Sequence, residues 1–541
     1  MKYNLLAGLP ALITSFVFLY SCNTTEQKYT SWEKYKGSDE GLNYSSLASI
    51  DTNNVAQLQL AWEYHTGDAD TANFSQIQCN PIIIDGILYG TSPQLKLFAI
   101  EANTGKEKWT FNPFDSLKGD MKMFFSQNNS RGITYWSDGN EDKRIYYTAG
   151  PYLYSINAIN GQPVNSFADS GKLDLHEGLG RDVKKLFVTA TSPGIVYKDL
   201  LIMGTRVHEG SQAAPGHIRA YDIRTGKQKW IFHTIPWPGE KGFESWEDPT
   251  AYKYIGGANA WGGLTLDNKR GIVYGCTGSA NYDFYGGKRK GNNLFANCVL
   301  ALDAATGKYA WHFQYIHHDV WDRDLPAPPV LVTINKEGKK IDAVAVTTKT
   351  GNVFVLDREN GKPVYDIVEK PVPTNSDLIG EQLSPTQPYP VKPAPFMRQV
   401  ITEKELNHLL PDSSFREVKK RWASLRNDHM FNPPSLQGTL EFPGLDGGAE
   451  WGGPSYDPKS SILYINSNEV GWIVKAAERK NEIVPNENSG QAGKRLYQEN
   501  CMICHGPERE GALNFPSLKN ILHISLIQNL NLSNIHIFSF S

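Results

Sequence analysis

Cysteine is scarce: six residues in a chain of 541. That is too few to staple a protein of this size, so each has to be assigned on its own. Neither sign of charge prevails. Lys and Arg number 54 against 57 Asp and Glu, for a net charge of −3. Nucleic acid selects for basic surfaces, so that class of partner is excluded. The compositional mark of general disorder is absent too, because 40% hydrophobic and 21% charged residues make an ordinary globular balance. Apart from one stretch near the N-terminus, no apolar run is a candidate to span a bilayer.

Turn formers and aromatics are plentiful instead, with Gly 48, Pro 31, Trp 13 and Tyr 26. Many turns together with many aromatics predict an all-β chain of short strands. The length allows one large domain or two to three smaller ones.

Lys2 is the only charge before Glu26, and an apolar stretch runs from residue 5 to 20 between them. It falls short of the roughly 20 residues that cross a bilayer. It has the form of a signal-peptide core, and it ends in LYSC at 19–22, which resembles the lipobox of bacterial lipoproteins. Residues 1–21 are therefore expected to be a lipoprotein signal peptide and Cys22 the lipid anchor. The mature protein is then exported and membrane-tethered, on the periplasmic or outer-membrane side. Cys501, Cys504 and His505 form the C-x-x-C-H pattern of covalent c-type haem attachment, with two thioethers and His505 as the proximal iron ligand. Cys79, Cys276 and Cys298 are left. The last two either pair or remain buried thiols.

A repeat runs along the chain. AIEANTGKEKW at 99–109, AYDIRTGKQKW at 220–230 and ALDAATGKYAW at 301–311 are strong copies; SINAINGQPVN at 155–165 and VLDRENGKPVY at 355–365 are weaker ones. Each reads as strand, turn, strand. The acidic or Asn side chain caps the turn, Gly supplies positive φ, and the aromatic packs between neighbouring sheets. The repeated glycines, 105, 161, 226, 307 and 361, are 54 to 81 residues apart. That spacing suits four-stranded propeller blades with insertions. Strand-like runs lie between them at 81–90, 194–204, 271–275, 343–357 and 461–466. Residues 366–435 are Pro-rich and then helical and are expected to be an insertion, with a capping-box start at Thr402–Glu405 and a helix near 415–425. Residues 490–505 read as a helix leading into the haem motif. The tail at 521–541 has no Gly, Pro or charge and looks foreign, which suggests a truncation or a reading-frame error.

Four polar clusters carry candidate chemistry: SRGITYW at 130–136, GTRVHEG at 204–210, NAWGG at 259–263 with TGSAN at 277–281, and HHDVWDRD at 317–324 followed by KTG at 349–351. Two histidines and three aspartates within eight residues suit zinc or iron. They equally suit a polar loop laced with salt bridges, and the residues by themselves leave both readings open.

Together, the repeat, the WGG element, HHDVWDRDLPAPP and TKTGNVFVLDR at 348–358 resemble the quinoprotein dehydrogenases over about residues 31–520. The likeness is strongest to the sugar- and alcohol-oxidising branch that carries a c-type haem motif. The resemblance implies an eight-bladed β-propeller binding pyrroloquinoline quinone (PQQ) and Ca²⁺ over 22–485. It also implies the start of an α-helical cytochrome c domain at 486–520, with C-terminal closure truncated. It implies Asp322 as catalytic base, Lys349 at the quinone oxygens, Trp261 as the floor under the planar cofactor, Arg131 on a cofactor carboxylate, and Thr191, Gln78 and Trp451 as further cofactor contacts. Glu209 and Asp322 are implied metal ligands. Ser279 stands where the alcohol branch supplies an Asn ligand, and Gln78 where relatives often carry Glu. The adjacent-cysteine disulfide of methanol-oxidising relatives is missing, since FFS stands at 124–126.

The implied reaction is oxidation of a sugar or alcohol hydroxyl by hydride transfer to the quinone. Electrons then pass to haem c and on to a quinone or cytochrome acceptor. The rival class is a non-catalytic propeller lipoprotein scaffold of the outer-membrane assembly type. Such a scaffold lacks the Asp322–Lys349 pair, Glu209 and the haem motif.

Overall fold

The repeated turn is built by its acidic residue. Asp222 Oδ1 accepts the amides of Arg224 and Thr225 at 3.2 and 3.0 Å and the Thr225 hydroxyl at 2.9 Å. Asp303 does the same for Ala305 and Thr306. The glycine then closes the turn at φ near +70°, from +70° at Gly307 to +73° at Gly161 and Gly226, where only Gly avoids strain.

These glycines also leave room for a neighbour. A Cβ on Gly161 would lie 2.6 Å from Trp109, on Gly307 2.5 Å from Trp230, and on Gly361 2.6 Å from Trp311. The same indoles donate to Ala158, Ala304 and Arg358 carbonyls at 3.1, 3.2 and 3.1 Å. The tryptophan that ends one repeat therefore docks on the turn of the next. One local motif thus sets both the hairpin and the packing of successive sheets. Gly226 departs from the rule and faces Phe167.

The computed structural model describes residues 29–69, 75–115, 129–210, 213–477 and 488–500, with a few single positions beyond. Within them, four antiparallel four-stranded sheets run in simple sequence order. The first holds Ile82–Ile84, Ile87–Thr91, Leu97–Glu101 and Glu107–Phe111. The second begins at Thr134–Ser137, the third at Ile195–Tyr197 and the fourth at Leu264–Asp267. A three-stranded sheet follows, Val330–Lys336, Lys339–Thr347 and Val353–Asp357. Smaller pairs join Thr439–Glu441 to Trp472–Lys475 and Ser455–Asp457 to Ile462–Tyr464. This is an all-β propeller-type fold.

The core lies between sheets. Tyr274 and Trp311 of one sheet bury against Val344, Phe354 and Leu356 of the next. First strands of successive sheets lie against one another, Thr134–Ser137 on Ile195–Tyr197, that on Leu264–Asp267, and that on Val330–Lys336. The N-terminal segment crosses them. Carbonyls of Trp32, Asp39, Glu40 and Leu42 accept the amides of Ile83, Leu266, Leu331 and Tyr456.

The helical part of the insertion differs from expectation where it begins. Thr402 and Glu405 do form a capping box, but it opens only a single 3-10 turn, Glu403–Glu405. Pro411 precedes the true helix, Asp412–Ala423. A second helix spans Ser489–Asn500. Cys22, Cys501, Cys504, His505, the segment 1–28 and residues 521–538 lie outside the described residues. Cys79, Cys276 and Cys298 are free thiols, the last two buried.

Candidate active site

In an antiparallel sheet the loop into the first strand and the loop out of the second lie at the same end. The implicated residues sit on those loops. Arg131, Thr191, Trp261, Asp322 and Trp451 precede first strands, while Ser279 and Lys349 follow second strands. All of these except Thr191, which meets Arg131 from behind, thereby share one cavity of about 530 Å³, lined also by Glu209, although Arg131 and Trp451 stand 320 positions apart.

Arg131 is 7% exposed, and its guanidinium carbon lies 5.0 Å from the Trp261 ring and 4.9 Å from the Trp451 ring. Nη1 donates to Thr191 Oγ1 at 2.6 Å, but Nε is buried with no partner among the described residues. Burial pulls this arginine down to about 10. A buried guanidinium with an unspent N–H is matched by an anionic oxygen. Gln78 is not among the residues lining the cavity; its amide donates to Gln76 at 3.2 Å.

The three aspartates of the 317–324 run have separate tasks. Asp319 is 2% exposed and accepts the amides of Trp321 and Arg323 at 2.9 and 2.7 Å and the Asn297 amide at 2.8 Å. Asp324 accepts the Trp261 indole N–H at 2.7 Å and the Ser279 amide at 2.6 Å. Asp322 keeps 20% of its side chain exposed to the cavity, and among the described residues only one of its oxygens is engaged, by Lys349 Nζ at 3.1 Å. Its backbone sits at φ +53°, a left-handed conformation that costs about 1 kcal/mol or more.

Burial drives the Asp322 carboxyl well above the usual range; Lys349 opposes this, and Asp324, Glu209 and Asp319 add to it. Asp283 is driven the same way by burial and then by Asp322, Glu209, Asp324 and Asp319. Burial would lower Lys349, yet Asp322, Asp324 and Glu450 outweigh it and hold it above its ordinary value.

Among the described residues six carboxylates line the cavity, Glu209, Asp283, Asp322, Asp324, Asp446 and Glu450, against three cations, Arg131, Arg206 and Lys349. A polyanion entering here needs a cation with it. Among the described residues no three His, Cys, Asp or Glu side chains converge on a metal position by themselves. The Ser279 hydroxyl is turned to Asp319 and Asp324.

Motif reading passed over Asp283, Asp446 and Glu450. Glu450 had a signal, since EWGG at 450–453 repeats the AWGG of 260–263. Lys36 had none. Its Nζ donates to the Trp451 and Gly452 carbonyls at 3.2 and 2.6 Å from the other end of the chain.

The PQQ family model, described as the glucose/ethanol/alcohol dehydrogenase β-propeller domain, matches residues 32–513. A cytochrome c model matches residues 490–537 and so continues past 520. The chain is 35% identical to quinoprotein glucose dehydrogenase A of Acinetobacter calcoaceticus, over 81% of this chain and 57% of that one. It is 33% identical to the quinoprotein glucose dehydrogenase of Escherichia coli, over 83% and 57%. The chain thus spans little more than half the length of these relatives. The quinohemoprotein alcohol dehydrogenase structure from Comamonas testosteroni superposes with a TM-score of 0.60 at 23% identity, covering 83% of this chain and 59% of that one, and so shares the fold. With the family model running through the docked-tryptophan sheets and the loops at their shared end, this chain belongs to the PQQ family of glucose, ethanol and alcohol dehydrogenase β-propellers.

Proposed function

We propose that the chain is a PQQ- and Ca²⁺-dependent dehydrogenase oxidising a hydroxyl of a sugar or alcohol. The observation that carries this is Asp322. Of three neighbouring aspartates it alone keeps an open carboxylate oxygen facing the cavity, beside a buried lysine.

The residues fit the cofactor. Arg131, with its unspent Nε–H, and Lys349 suit the carboxylates and quinone oxygens, and Trp261 and Trp451 suit its flat faces. Glu209 and Asp322 suit calcium, an ion that prefers oxygen ligands, with the cofactor supplying further oxygens. The bound quinone would supply the acceptor for a hydride from the substrate carbon. This chain's own residues do the rest. Asp322 takes the hydroxyl proton on the oxygen that Lys349 leaves free. Lys349 holds the other oxygen and so fixes the carboxylate plane. Trp261 donates its indole N–H to Asp324, which ties the floor to the reactive loop.

The reading extends to eight blades over 22–485 and a cytochrome c domain from 486. There Cys501 and Cys504 would hold haem c, with His505 as proximal ligand, and pass electrons to a quinone or cytochrome. Export and lipid tethering through Cys22 follow from the N-terminal motif. The names of the relatives, glucose dehydrogenases among them, favour a sugar substrate.

The test is PQQ titration with Ca²⁺, followed by tryptophan quenching, and dye reduction with a panel of sugars and alcohols. Saturable binding with turnover is expected. A folded chain that binds no PQQ would return the scaffold reading.

A further inference from the structure

The Pro-rich insertion reaches the reactive loop. His318 and Glu381 pair through His318 Nε2 and Glu381 Oε1 at 2.7 Å, each side chain 1% exposed. The other ring nitrogen, Nδ1, lies 2.9 Å from the Gly291 carbonyl, which can only accept. Both ring nitrogens are therefore engaged, one by the carboxylate and one by the carbonyl. Glu381 Oε2 accepts the Gly286 amide at 2.6 Å. Burial alone would raise the Glu381 carboxyl, but His318, the Gly286 amide and Arg289 outweigh it and hold it low. The approach depends on Gly286, where a Cβ would lie 2.1 Å from His318 Nε2.

Glu381 is one of several grips from the 366–435 insertion; Glu369 reaches the His317 ring at 3.2 Å and the Met430 carbonyl accepts from Arg323 at 3.5 Å. Gln387 accepts the His317 amide and donates to the His317 carbonyl, both at 2.8 Å. The Asn432 carbonyl accepts the Trp321 indole N–H at 2.9 Å. The gripped loop needs holding. His318 at φ +49° and Asp322 at φ +53° are both left-handed without being glycine, and such conformations persist only where the surroundings over-determine them. Asp319 ties the loop from inside, and the insertion ties it from outside.

We propose that Glu381 is a positioning residue for Asp322: through His318 it clamps the 317–324 loop in the strained conformation that aims the Asp322 carboxylate into the cavity. This rests on Asp322 being the base. Neither Glu381 nor His318 lines the cavity. Removing the clamp therefore lowers the rate of the chemical step by more than it weakens cofactor and substrate binding.

The experiment uses the full chain and compares Glu381→Ala and Glu381→Gln with the wild type by two readouts. The first is hydrogen exchange of the peptide covering 317–324 in protein without quinone or calcium. In Glu381→Ala, exchange at the Trp321 and Arg323 amides is expected to rise about 10-fold or more while Leu264–Asp267 is unchanged. The second is kinetics on the PQQ- and Ca²⁺-loaded protein, where kcat is expected to fall about 10-fold or more and PQQ affinity and KM to change by clearly less. Glu381→Gln keeps the shape and one acceptor and is expected to fall between the two; it decides the matter if Glu381→Ala does not fold. Unchanged exchange in a folded variant overturns the clamp. So does a kcat within about twofold of wild type, or a loss of PQQ affinity as large as the loss of kcat. If the wild type itself shows no quinone-dependent turnover, the dehydrogenase reading fails, and the exchange readout still decides whether Glu381 holds the loop.

Discussion

Lys349 donates to one carboxylate oxygen of Asp322 over 3.1 Å, and the other oxygen accepts nothing from any described residue. A carboxylate held at one oxygen and open at the other is oriented without being consumed, which is what a general base requires. Asp322→Asn keeps size and the Lys349 contact and removes the proton acceptor. Dye-linked turnover is expected to fall by about 10²- to 10⁴-fold with PQQ still bound. Turnover within a few-fold of wild type would remove Asp322 from that role.

Arg131 has a buried Nε without a partner and an Nη1 held by Thr191. Arg131→Met preserves the packing against Trp261 and Trp451 but removes the charged hydrogen bonds. PQQ affinity is expected to weaken about 10- to 100-fold, read from tryptophan quenching. Unaltered affinity would place the cofactor's acid groups elsewhere.

The carboxylates of the cavity outnumber its cations two to one. Chelating calcium with EGTA is expected to weaken PQQ binding about 10-fold or more, and added Ca²⁺ restores it. Equal affinity with and without chelator would mean that the three cations suffice.

Burial pushes the Lys36 ammonium from 10.5 down to about 7, and Arg131 adds to the effect. In the window between, the unfolded chain carries a proton that the folded chain has released, so this group makes stability rise with pH. The slope is at most about 1.4 kcal/mol per pH unit. Lys36→Met removes the titration. Between about pH 7 and 9.5 the wild-type urea midpoint is expected to gain on that of the variant. Parallel profiles would show that the amine stays charged in the fold.

Cys501 and Cys504 lie outside the described residues, so their prediction rests on the C-x-x-C-H motif. Replacing both by Ala is expected to abolish covalent haem, read by a haem-stained gel, and to leave dye-linked turnover intact. Covalent haem that survives the double substitution would assign the attachment to other residues.

What the sequence determined by itself is local. The TGK turns, their capping acids and the closing tryptophan lie within eleven residues, and hydrogen bonds inside that span set the hairpin. The fold class was therefore legible; Asp322, Lys349, Arg131, Trp261 and Glu209 were named by the family resemblance, and the structure brings them to one cavity. The capping box at Thr402 was legible as a box but not as a stop, because Pro411 decides where the helix begins.

What only the tertiary structure decided depends on pairs far apart in the chain. Asp319, Asp322 and Asp324 are alike in sequence. They differ because Asn297, Ser279 and Trp261 claim Asp319 and Asp324, leaving Asp322 to Lys349 alone. Lys36 meets Trp451 across 415 residues, and Glu381 meets His318 across 63. No local spacing encodes such contacts. They arise when closing sheets bring loops to a common end, and burial then turns ordinary side chains into a charged, strained and selectively satisfied site.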